Sequence, residues 1–269
     1  MKHILITGST DGIGKLTALQ LAKEGHNIYL HGRSPEKLAH VVSEIKELSK
    51  NGNVKGFVAD FSDLATITNM TEQMKNEGPK LDVLINNAGI LKSRQNAAPN
   101  GIDIRLTVNY LAPYVLTNQL LPLLKKADDA RIINLSSAAQ APVSMTALKG
   151  KVTLGVNDAY AQSKLALTMW SFDLAAKEPD LTVIAVNPGS LLNTKMAKEA
   201  YGQYWAPADK GANLLVKLAI ADHYKNDSGK YFDNDSGVFA PAHSEAYDQA
   251  KIEALIVNTN NVLDSLQIS

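Results

Sequence analysis

The chain has 269 residues, of which 45% are hydrophobic and 20% charged, with 17 glycines, 10 prolines and no cysteine. This composition excludes a disordered or collagen-like chain, and the lack of thiols excludes a disulfide framework, thiolate metal sites and cysteine nucleophiles. Lysine plus arginine (27) balance aspartate plus glutamate (27), which leaves no long-range field to gather nucleic acid or an anionic membrane.

No apolar run approaches the roughly 20 residues of a membrane span, and MKHILITG turns polar too soon for a signal peptide. The chain reads as soluble and cytoplasmic, with no nucleic-acid or membrane partner. In chain order, a strand is predicted at 3–7 (HILIT), then a helix from Ile13 to about Glu24, stopped by Gly25. A strand at 27–31 (NIYLH) precedes a helix at 35–50, with Ser34 as N-cap and Pro35 at the first helical position. Strands at 54–59, 82–85, 131–135, 181–187 and 230–232 then alternate with helices at 62–77, 101–126, 158–177 and 208–222. Most strands are nearly all apolar, as strands covered on both faces are. The alternation predicts an α/β fold, a doubly wound parallel sheet of about seven strands with helices on both faces. Residues 137–157, 190–207 and 233–241 show no clear periodicity and are read as long loops, functional or mobile. No linker or repeat divides the chain, so residues 1–269 are read as one domain.

The first strand runs straight into Thr7-Gly8-Ser9-Thr10-Asp11-Gly12-Ile13-Gly14 and a helix. Glycines at such a junction let the backbone turn sharply and approach a pyrophosphate at the helix N-terminus. Asp60, after the third strand, is suited either to accept from an adenine amino group or to cap the next helix. Asn86-Asn87-Ala88-Gly89 ends the fourth strand with small residues, as a close-passing cofactor or a tight turn requires. Tyr160 and Lys164 are spaced i, i+4, so phenol and ammonium share a helix face. Ser136 and Ser137 close the preceding strand. The six histidines form no i, i+4 pair and read as surface or loop residues, so no metal is expected. Glu24 and Asp82 read as surface charges, Lys125-Lys126 as a solvated helix end, and Met169 and Trp170 as core or subunit contact.

TGSTDGIG, NNAG, Asn109, Ser137, YAQSK and Asn187-Pro188-Gly189 occur in the order found in the classical short-chain dehydrogenase/reductase family, which the chain resembles over residues 7–189. KYF falls where that Rossmann-type fold places its seventh strand. GIGKLTA, LDVLINNAGI, ARIINLSS and SKLAL, with the long segment between Ser137 and Tyr160, are most similar to the retinol-dehydrogenase-like and protochlorophyllide-reductase-like branch. The resemblance implies a dinucleotide-binding half at 1–135 and a catalytic, substrate-binding half at 136–269. It implies a catalytic tetrad. Tyr160 is the general acid/base, Lys164 holds the nicotinamide ribose and lowers the Tyr160 pKa, Ser137 binds the substrate oxygen, and Asn109 supports a proton relay through Lys164. It further implies coenzyme contacts from Gly8, Ser9, Thr10, Asp11, Gly12, Ile13 and Gly14, from Arg33, Asp60 and Phe61, and from Asn87, Ala88 and Gly89. Tyr160, Lys164, Pro188, Gly189 and Thr194 complete that set. Thr194 stands one residue later than the usual spacing after Pro188-Gly189.

At Gly32 the chain lacks the carboxylate that selects NAD by binding the ribose 2′-hydroxyl. Arg33 follows, with a donor fork suited to a 2′-phosphate, so NADP(H) is expected over NAD(H). The expected reaction is hydride transfer to or from an alcohol or carbonyl. Ala138, Pro142, Val143, Met145, Leu148, Leu191, Leu192, Met196, Tyr201, Tyr204 and Trp205 lie on two long loops and make an apolar pocket wall, which suits a hydrophobic substrate. A catalytically silent NADP(H)-binding regulator is the alternative, disfavoured by the intact tetrad. A nucleotide-sugar epimerase is disfavoured by the spacing of Gly8, Gly12 and Gly14. The resemblance also implies a homodimer or homotetramer built through helices 101–126 and 158–177, unless the segment before Tyr160 covers that surface.

Overall fold

A computed structural model describes residues 1–268, apart from the side chains of Ala200 and Tyr201. Tyr201, expected in the pocket wall, therefore lies outside the described side chains. The elements run β1 (His3–Ile6), α1 (Gly12–Lys23), β2 (Asn27–Gly32), α2 (Pro35–Ser49), β3 (Val54–Val58), α3 (Ala65–Glu77) and β4 (Val83–Asn86). They continue with α4 (Ile104–Leu106), a π-helical turn (Thr107–Leu111), α5 (Ala112–Leu124), β5 (Arg131–Leu135), α6 (Met145–Leu148) and α7 (Val156–Lys177). The rest comprises β6 (Thr182–Asn187), α8 (Lys195–Tyr201), α9 (Asp209–Ile220), β7 (Lys230–Asp233), β8 (Val238–Phe239) and α10 (Gln249–Ser265).

One eight-stranded sheet has the order β3-β2-β1-β4-β5-β6-β7-β8. It is parallel through β7, and β8 pairs antiparallel with β7. Successive residues of a strand face opposite sides, and both sides are covered. Leu5, Tyr29, Leu84, Ile132 and Val183 pack with α3, α5, α7 and α10. Ile4, Ile6, Ile28, Val83, Ile133 and Ile184 pack with α1, α2 and α9. This double burial is why the inner strands are mostly apolar, whereas the edge strand β3 exposes Lys55 and Val58. β1 pairs with β2 on one side and β4 on the other. The strand order reverses between β1 and β4, and such a switch point opens a crevice at the strand carboxyl ends.

Several expectations need correction. Residues 233–241 contain β8, and the loops 137–157 and 190–207 contain α6 and α8. The helix expected from Ser62 starts at Ala65, because Asp60 turns the chain first. Its Oδ1 accepts from Ser62 N–H and its carbonyl from Asp63 N–H. The helix expected over 101–126 is divided by the π-helical turn. Asp82, read as a surface charge, is buried and accepts from His3 N–H (2.7 Å) beside Lys80 (2.9 Å). His31, read as a surface or loop residue, is buried in β2. Helix α10, which was not expected, packs on α7 and α6. Tyr110 and Thr259 hydroxyls meet at 2.7 Å, and Tyr114 donates to Asn260 Oδ1 at 2.7 Å. Residues of α10 thus occupy part of the helix face through which an oligomer was expected to form.

Candidate active site

The crevice is floored by two strand-end turns that hold each other. Thr7 Oγ1 accepts from Asn87 N–H (3.0 Å) and Ala88 N–H (2.9 Å), while Asn87 Nδ2 donates to the carbonyls of Thr7 (2.8 Å) and Gly8 (3.1 Å). Gly8 has φ +62, and a Cβ there would lie 2.8 Å from Ala88 Cα. A Cβ on Gly14 would lie 2.5 Å from Asn87 Nδ2. Asp11 caps α1 by accepting from Gly12 N–H and also meets Lys37 (3.2 Å). Burial raises the Asp11 pKa, but the Gly12 N–H, Lys37 and Lys195 outweigh it and hold the carboxyl below its ordinary value. Ser9, buried beneath the turn, accepts from His31 N–H at Oγ (3.0 Å).

At the end of β2, a Cβ on Gly32 would lie 2.5 Å from Thr10 Cγ2. Arg33 is exposed and in no ion pair among the described residues. Ser34 caps α2 through Lys37 N–H. His31 Nδ1 accepts from Gly8 N–H (3.0 Å), and its ring stacks on Phe61 with centroids 4.1 Å apart. Thr7 and His31 were missed by sequence reading. Thr7 was legible only as the first letter of a glycine motif.

The Tyr160–Lys164 cluster sits across the crevice. Lys164 is buried on α7, its Nζ donating to the Leu135 carbonyl (2.6 Å) and lying 5.6 Å from the Tyr160 ring centroid. Desolvation pushes its pKa down to about 8. Ser137 Oγ accepts from Ala139 N–H (3.1 Å), and the Ser137 carbonyl accepts from Tyr231 Oη (3.0 Å) and Gln140 Nε2 (2.9 Å). Ser136 is buried and bonded to Thr168 and the Lys164 carbonyl, a structural position. Asn109, in the π-helical turn, bridges Ile90 N–H (2.8 Å), the Ile90 carbonyl (2.9 Å) and Ser163 Oγ (3.0 Å). A Cβ on Gly89 would lie 3.3 Å from Asn109 Oδ1 and 3.4 Å from Lys164 Nζ. A side chain larger than hydrogen at position 89 would therefore crowd the polar cluster.

The model of the short chain dehydrogenase family matches residues 2–205, through the glycine turn and the Tyr160–Lys164 helix. The chain belongs to this family. It is an oxidoreductase of the retinol-dehydrogenase-like branch, on a Rossmann-type fold that binds a nicotinamide coenzyme. Human polyprenol dehydrogenase is 32% identical over 251 residues, covering 86% of this chain and 76% of the relative. Bovine retinol dehydrogenase 12 is 33% identical over 244 residues, covering 86% and 77%. A short chain dehydrogenase structure from Escherichia coli CFT073, complexed with NADPH, is 28% identical with a TM-score of 0.72 and covers 87% of this chain and 96% of its own.

In this short-chain dehydrogenase the segment after β6 folds over the glycine turn. Thr194 caps α8 through Ala197 N–H, and a Cβ on Gly12 would lie 3.6 Å from its Cγ2. Of the residues expected to wall the pocket, Leu148 and Leu192 are buried, whereas Tyr204 (50%) and Trp205 (73%) are exposed. Lys198 lies over the Tyr204 ring at 5.5 Å.

Proposed function

We propose that this dehydrogenase interconverts a hydrophobic alcohol and its carbonyl with NADP(H), using Tyr160 as general acid/base. The observation that carries the proposal is the buried Lys164 ammonium one helical turn from Tyr160, held on the carbonyl of Leu135, which ends β5 two residues before Ser137. The glycine turn from Gly8 to Gly14, with Asn87, Ala88 and Gly89, would hold the coenzyme's diphosphate and nicotinamide half, and Asp60 and Phe61 its adenine. Pro188, Gly189 and Thr194 would cover it. When bound, the nicotinamide supplies or accepts the hydride.

The chain's own groups manage the proton. Tyr160 gives its phenolic proton to the substrate oxygen in reduction and takes it back in oxidation. A free phenol titrates near pH 10. A unit charge about 4 Å away, at an effective dielectric of about 20, contributes roughly 4 kcal/mol, about three pH units. A Lys164 with its pKa at about 8 is still mostly protonated at neutral pH and can supply that charge. Ser137 Oγ already accepts from Ala139 N–H, so its own proton is left to donate to the substrate oxygen. Asn109 ties Ile90 to Ser163, the residue before Lys164, which supports a relay at that ammonium.

The absence of an acid at Gly32 and the Arg33 guanidinium, exposed and in no ion pair among the described residues, support NADP(H), as does the NADPH complex of the Escherichia coli relative. Relatives named for polyprenol and retinol support a hydrophobic substrate. The test is a panel of apolar and polar carbonyls, run with NADPH and NADH on the wild type, Tyr160→Phe and Arg33→Ala. Tyr160→Phe is expected to bind NADPH but lose about 10²–10⁴-fold in turnover. Arg33→Ala is expected to weaken NADPH by about ten- to hundredfold, the worth of a charge-assisted hydrogen bond, and to change NADH little. Preference for sugars, near-normal turnover by Tyr160→Phe, or NADPH binding with no carbonyl turned over would each overturn the reading.

A further inference from the structure

The loop that leaves β6 is held by a turn from the far side of β7. Asp235, in the turn between β7 and β8, accepts from Ser190 N–H (2.8 Å) and from Ser190 Oγ. Its Oδ2 also accepts from Asn187 Nδ2 (2.9 Å), which donates as well to Asp233 Oδ1 (2.8 Å). The neighbouring Asn234 Nδ2 donates to the Pro188 carbonyl (2.8 Å) and the Lys210 carbonyl (3.2 Å). Gly189 N–H in turn donates to Asn187 Oδ1 (3.2 Å), so each residue from Asn187 to Ser190 is held through its side chain or backbone. The next residue, Leu191, has φ +47. A branched residue persists in this conformation only where its surroundings impose it. Beyond it the chain is pinched shut, with Asn193 N–H on the Ala206 carbonyl (2.8 Å) and Trp205 N–H on the Leu191 carbonyl (2.9 Å). This closed segment carries Thr194 onto Gly12, and a Cβ on Gly211 would sit between Leu192 (2.8 Å) and Ile13 (3.1 Å).

We propose that Asp235 is a positioning residue that latches the 187–194 segment in its coenzyme-ready place against the glycine turn. The inference rests on the coenzyme site proposed above. Among the described residues, Asp235 makes no hydrogen bond to the glycine turn or to the Tyr160–Lys164 cluster. It acts through Ser190, and a loop already in place binds without the population loss that a wandering loop imposes on apparent affinity.

The test compares wild type, Asp235→Asn, Ser190→Ala and the double variant. Three quantities are read: the NADPH dissociation constant, kcat at saturating coenzyme, and amide exchange at residues 189–194 without coenzyme. Asn at 235 keeps one acceptor for Ser190 N–H but turns an N–H toward Asn187 Nδ2. Asp235→Asn is expected to weaken NADPH about tenfold, the loss of one charge-assisted hydrogen bond, with kcat within about threefold. Exchange at 189–194 should accelerate. Ser190→Ala should cause a smaller loss, and the double variant should fall short of the summed effects, as coupled neighbours do. Unchanged affinity and exchange in Asp235→Asn would overturn the latch, as would strict additivity or a parallel loss of kcat and affinity with a lowered melting temperature. If Asp235→Asn does not fold, Ser190→Ala carries the same readouts. Should the wild type bind no NADPH, the functional reading fails, while the exchange comparison still decides the latch.

Discussion

The imidazole of His31 accepts the Gly8 N–H at Nδ1 (3.0 Å), so Nε2 carries the proton and gives it to the Ala59 carbonyl (3.0 Å). Both ring nitrogens are thereby committed, and the ring is neutral. Desolvation lowers its pKa to about 4, against the weaker opposing pull of the Ala59 carbonyl and Asp60. The folded pKa lies below the unfolded value near 6.5, so the unfolded chain binds the extra proton first. Stability is therefore complete above pH 6.5 and declines as the pH falls toward 4. Urea unfolding at pH 7 and pH 4.5 should show the wild type losing about 2–3 kcal/mol more than His31→Gln over that interval. An equal loss in both would mean that His31 does not titrate there. Sequence reading placed His31 at the surface or in a loop because a single histidine carries no spacing signal. Its position inside an otherwise apolar strand was the clue, since a strand covered on both faces leaves no solvent for any of its side chains.

Between elements, the turn after β1 and the turn after β4 are fitted to each other without room for a methyl group. Gly8→Ala would place Cβ 2.8 Å from Ala88 Cα, a backbone atom that cannot swing aside, at φ +62. The left-handed conformation costs about 1–2 kcal/mol and the overpacking about 1–3 kcal/mol. A loss of roughly 2–5 kcal/mol in unfolding free energy is expected from the two together, along with weakened coenzyme binding. A stability within 0.5 kcal/mol of wild type, about what an unremarkable surface change gives, would mean the turns separate easily. Elements of this kind were legible in the sequence where their chemistry is local. The parallel strands were visible in their apolar runs, and the glycine turn, Tyr160 and Lys164 in their spacing. The π-helical turn at Thr107–Leu111 was not, because one extra residue per turn leaves the apolar composition of the helix unchanged. The start of α3 was obscured by Asp60, whose side chain competes for backbone N–H groups and delays the helix. Ser137's supports, Tyr231 and Gln140, come from a distant strand and a long loop, and no sequence separation announces such a meeting.

At the scale of the whole molecule, α7 decides how the chain associates. Ser163 through Ser171 are buried without interruption, so this stretch has no face left for solvent or for a partner. Helix α10 contributes to that closure. Ile252, Leu255, Ile256, Thr259, Val262 and Leu263 are buried along one side of it, at the three- and four-residue steps of a helical stripe. That stripe was legible in the sequence but lies beyond the motifs, which end at Pro188-Gly189. Each such apolar side chain contributes about 1.5–3 kcal/mol when removed from water, so α10 is held by considerably more than thermal energy. A dimer through α5 and α7 would have to displace it and recover an equal burial from the partner. The chain is therefore expected to be a monomer at micromolar concentration, with light scattering as the measurement. Leu255→Asp should loosen α10, expose the stripe and produce concentration-dependent self-association that the wild type lacks. A wild-type dimer whose mass persists on dilution, and whose α10 amides are protected no better than exposed loops, would show instead that the helix yields its place to a second chain.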